Sequence, residues 1–124
     1  MTNEQRAEKI IEKFGFDFGN ISKSEISALI EQEIADYHSG SSEYIRLLCG
    51  YLYCLGSEVD IPLLEKAKYK INMDVGCMID GEWIDSLKGV TNEYVRPRKE
   101  IIEDFVDYYR NFKADDADDA DDEW

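Results

Sequence analysis

The chain has 124 residues, 44% of them apolar, and 28 Asp and Glu against 14 Lys and Arg give a formal net charge of −14. That length supports one core and excludes a second independent domain, and the charge disfavours direct contact with phosphate backbones. No run approaches the roughly 20 apolar residues that span a bilayer, and the opening MTNEQRAEKI lacks the basic-then-apolar order of a secretory signal, so a cytoplasmic location is expected.

Six helices are predicted in chain order. Thr2 and Gln5 form a capping box, and Ala7, Ile10, Ile11 and Phe14 recur at helical spacing, which places the first helix over 3–14. Ser22 and Glu25 open the second, with Ile21 and Ile26 at the positions of a hydrophobic staple, and it is predicted to reach Tyr37. A third helix over 43–55 is apolar around nearly its whole circumference, with Glu43, Arg46, Gly50 and Tyr53 as a more polar flank, so it should be the central one. Asp60 is expected to cap a fourth helix over 61–70, with Pro62 in its first turn and Lys66, Lys68 and Lys70 toward its negative end.

Residues 74–88 read as a fifth helix, although Gly76 and Gly81 each weaken it by about 1 kcal/mol relative to Ala. The last runs from Pro97 to Phe112, with Ile101, Ile102, Phe105, Val106, Tyr108, Tyr109 and Phe112 filling an arc of about 160°. No segment alternates as a strand would. The fold class expected is therefore all-α: five to six short helices in antiparallel pairs, HEAT-like or an irregular bundle, over 1–113. Residues 114–124, ADDADDADDEW, carry seven acids and no base, and are expected to form a disordered acidic tail. Without them the chain still holds 21 acids against 14 bases.

Residue chemistry narrows the function. Cys49, Cys54 and Cys77 form an odd set without C-x-x-C spacing, and His38 is the only histidine, so neither a disulfide framework, a zinc site nor a His-activated nucleophile is expected. No cofactor is implied. Glu33 lies inside the apolar arc of the second helix, between the directions of Leu29 and Tyr37, and needs a partner such as Arg46. Asp80 falls between Ile84 and Leu87 and needs Lys68 or a backbone amide. A functional alternative gathers Asp80 with Asp74, Glu82 and Trp83 in a carboxylate pocket for a divalent ion.

The stretch Leu55 to Leu87 has a Leu-Gly, an Asp before an apolar pair, an Ala-Lys, and aspartates at 74 and 80. In Gly56, Asp60, Leu64, Ala67, Lys68, Asp74 and Asp80 it resembles a group of small bacterial helical proteins, some of them candidate immunity proteins of polymorphic toxin systems. Glu82-Trp83 departs from the residue types of that group. The resemblance implies HEAT-like helical packing and carries over no catalytic residue.

Charge and resemblance point to a non-enzymatic acidic protein-binding domain, an immunity- or antitoxin-like inhibitor of a basic partner protein, with Asp74, Glu82, Trp83 and Asp85 as the contact surface. Three alternatives stay open: a metal-dependent enzyme on Asp74 and Asp80, a nucleic-acid mimic built on the Asp repeats, and a tail that covers the chain's own basic clusters, Lys66, Lys68 and Lys70 with Arg96, Arg98 and Lys99.

Overall fold

The computed structural model describes residues 2–90, 93 and 95–112; the expected acidic tail lies outside them. Seven α-helices run through the described residues, against five to six expected: α1 Asn3–Phe14, α2 Lys23–Ala35, α3 Glu43–Leu55, α4 Ile61–Lys70, α5 Met73–Met78, α6 Gly81–Leu87 and α7 Arg98–Arg110. Single 3-10 turns at Phe18–Asn20 and Glu58–Asp60 link α1 to α2 and α3 to α4. The protein is an all-α bundle.

Local chemistry explains most of the boundaries. Thr2 Oγ1 accepts from the Gln5 amide while the Gln5 side chain accepts from the Thr2 amide, so the reciprocal box at α1 is complete. Ser22 caps α2, and the staple residues Ile21 and Ile26 are both buried. The second helix stops at Ala35, short of Tyr37, where Asp36 takes a non-helical backbone (φ −144°, ψ 72°) that cannot continue the turn. Asp60 does not cap α4 with its side chain; it reaches back to the Ser57 amide at 2.9 Å and pairs with Lys23 at 3.0 Å, closing the turn before the helix.

The predicted fifth helix is two helices. Ile79 and Asp80 are extended, and Asp80 Oδ1 accepts from the Glu82 amide at 2.9 Å as the N-cap of α6. Gly76 has a packing reason to be glycine: a Cβ there would lie 2.8 Å from the Lys68 carbonyl oxygen, where α5 folds back on α4. Lys68 then extends its ammonium over the C-terminal end of α5, donating to the carbonyls of Gly76 and, at 2.6 Å, of Ile79.

At the centre lies α3, packed against α1, α2, α4, α5 and α6. Its expected polar flank is mostly interior, since Glu43, Gly50 and Tyr53 are all buried and only Arg46 is partly open. The seventh helix closes on it through Phe105, whose ring sits directly on Gly50. Tyr51 is surrounded by Phe14, Phe16, Phe18 and Phe105 at ring separations of 5.8–6.2 Å, and its hydroxyl donates to the Gly15 carbonyl at 2.8 Å. Tyr53 stacks on Trp83 and shares a 2.7 Å hydrogen bond with Ser86. Aromatic pairs of this kind add to simple area burial.

A side chain at position 50 would collide with the Phe105 ring. Gly50→Ala is therefore expected to lower stability by roughly 1–2 kcal/mol net, overpacking outweighing the gain in helix propensity. Urea unfolding should show a lower midpoint at an unchanged m-value.

Candidate interaction surface

The distribution of cations is the main electrostatic feature. Lys13 pairs with Glu25, Lys66 with Glu31, Lys88 with Glu65, and Arg96 with Glu82 and Asp104. Others form no salt bridge with a carboxylate among the described residues. Lys68 caps α5, and Arg98 donates to the final carbonyls of α3, reaching Tyr53 O at 2.8 Å and Gly56 O at 2.9 Å. Arg46 donates to the Tyr109 hydroxyl at 2.8 Å and the Met78 carbonyl at 3.2 Å, with its guanidinium 5.0–5.5 Å from the rings of Trp83, Tyr108 and Tyr109. Lys9, Lys70 and Lys99 remain exposed. Asp17, Asp36, Glu58, Asp74 and Glu103 are exposed and paired with no described cation.

This corrects several sequence expectations. Glu33, 2% exposed, pairs with Arg6 at 2.7 Å and not with Arg46; it also accepts from the His38 amide at 3.0 Å. Asn3 extends the same cluster, its amide donating to the carbonyls of His38 and Ser41. Of the two partners expected for Asp80, the structure gives a backbone amide, that of Glu82, and not Lys68. Trp83 is 3% exposed, a core residue between Tyr53 and Phe105, so it cannot form part of a contact surface. Glu82 is held by Arg96, leaving exposed Asp74 and half-exposed Asp85 as the remaining members of the expected set. No group of three or more His, Cys, Asp or Glu side chains is gathered for a metal among the described residues.

Burial shapes the titration of the interior groups. Burial pushes Cys49 and Cys54 up to about 12, which keeps both thiols protonated at neutral pH. Glu33 is subject to the same desolvation, but the Arg6 guanidinium and the His38 amide overcome it and hold its carboxyl below the ordinary range. Glu43 has the opposite balance: burial raises its carboxyl despite Arg46 nearby, and its Oε2 has no hydrogen-bond partner among the described residues.

Two surface features went unread in the sequence. Tyr69 and Met73, 69% and 84% exposed, line an apolar depression at the α4–α5 corner beside Asp74. A second groove, about 430 Å³, runs along α7 between Phe16 and the Ile102–Val106 ridge, with Glu103, Asp107 and Arg110 also lining it. Both need the tertiary placement of separate segments. Comparison with protein-family models, with curated proteins and with solved structures finds no match for the chain. Among the described residues no helix is long and apolar enough to cross a membrane.

The two buried carboxylates should give opposite pH signatures. Because the Glu33 pKa is depressed in the folded state, its contribution is present above the unfolded value, near 4.3, and is lost as pH falls through the folded one. E33Q is expected to cost roughly 2–4 kcal/mol at pH 7 and less in acid. For Glu43 the folded value is raised, so stability is lost as pH rises from the unfolded value through the folded one. E43Q should be neutral or stabilising at pH 7 and should remove that decline. Urea titrations of both variants from pH 3.5 to 8 check the signs.

Proposed function

We propose that this chain is a non-enzymatic acidic protein-binding domain, acting in the cytoplasm as an immunity-type inhibitor of a basic partner protein. The observation that carries the reading is the allocation of cations: Arg46, Lys68 and Arg98 serve helix ends and aromatic rings, while Asp17, Asp36, Glu58, Asp74 and Glu103 are exposed and pair with no described cation. With a formal net charge of −14, the field of such a surface is negative, and it would accelerate and orient encounter with a cationic protein. The engaged state of Lys66, Lys68, Arg96 and Arg98 favours this over a tail folded onto its own basic clusters. The resemblance over residues 55–87 supplies the immunity-type class.

Purification of the full chain from its native cells at 50 mM and 300 mM NaCl, followed by mass spectrometry, tests the proposal. The expected result is one basic protein in stoichiometric amount that persists at the higher salt. Recovery of many basic proteins, all lost at the higher salt, would instead mark non-specific charge attraction.

A further inference from the structure

The geometry points to the groove along α7 as the docking site for that partner, and to an amphipathic basic helix as the element it receives. This rests on the basic-partner reading and locates it. The floor is apolar and firmly held: Phe16 stacks on Tyr51 at 6.2 Å and meets Phe105 edge-on at 6.5 Å, while Val106 is buried and Ile102 half-buried. Ile102 and Val106 are four residues apart, and so are Glu103 and Asp107, which forms an apolar ridge and an acidic ridge side by side along one helix.

A partner helix laid in the groove would present apolar side chains at i and i+4 to the first ridge and Lys or Arg at the same spacing to the second. Charge complementarity identifies the occupant. Glu103 is exposed and pairs with no described cation, and Asp107 is exposed with Arg110 only 3.9 Å away as a loose partner. Asp17, next in the chain to Phe16, is exposed as well. Arg110 also lines the groove, but the acids around it outnumber it, so a second copy of this acidic chain would meet a net like charge here while a cationic apolar segment would meet a net opposite one.

The test uses the ¹⁵N-labelled full chain and an 18-residue amphipathic Leu/Lys helical peptide, with a scrambled peptide of the same composition as comparison. Expected are amide shifts centred on Phe16, Ile102, Glu103, Val106 and Asp107, and binding about tenfold tighter than for the scramble. E103K/D107K changes only exposed side chains, and it should weaken the peptide about tenfold while D74K, at the α4–α5 corner, changes it less than about twofold. Shifts centred on Tyr69 and Met73, equal loss in D74K, or equal binding of both peptides would overturn the groove. If the native basic partner is recovered and E103K/D107K retains it undiminished, the groove is wrong while the function stands. If no such partner is recovered, the function itself is wrong.

Discussion

The fold depends on enclosing α3 from every side. A helix with apolar residues around its circumference cannot leave a face in water, so it requires neighbours in all directions. Helices α1, α2, α4, α5 and α6 pack on it directly, and α7 reaches it through Phe105 at the one position, Gly50, where the helix surface is bare. This requirement also sets the polar chemistry of the interior. Tyr51, Tyr53 and Tyr109 bring hydroxyls into the core, and each finds a partner across an inter-helix boundary: the Gly15 carbonyl, Ser86 and Arg46.

The same enclosure governs the surface charge. Helix C-termini leave carbonyl groups that need donors, and Lys68 and Arg98 meet that need at the ends of α5 and α3. Arg46 is drawn into a setting of aromatic faces by Trp83, Tyr108 and Tyr109. Each of these cations is positioned by a helix end or an aromatic face and forms no salt bridge with an exposed carboxylate among the described residues. The groove along α7 belongs to the exterior, because the apolar arc of the last helix is wider than the core it covers: Ile101, Phe105 and Tyr109 are buried while Ile102 stays half-open.

Much of this was legible in local patterns. The start of α1 and the cap and staple of α2 follow from residues close to one another in the chain. The error over 74–88 was itself local: Asp80-Gly81 is a turn signal, and weighing it above helical periodicity would have divided α5 from α6 and made Asp80 a cap. Trp83 was misplaced for the opposite reason. An aromatic between acids looks like a surface anchor, and only its stacking on Tyr53 makes it core. Nothing near Glu33 in sequence pointed to Arg6, which lies 27 residues away on another helix.

The sequence by itself determined the all-α class, the central place of α3 and the sign of the net charge, because helix periodicity, capping and charge are properties of neighbouring residues. The tertiary structure decided which cation meets which acceptor, which acids remain uncompensated, and where an apolar groove lies open beside them. Those outcomes depend on distances between segments far apart in the chain, and such distances are set by how the helices pack, which no local pattern encodes.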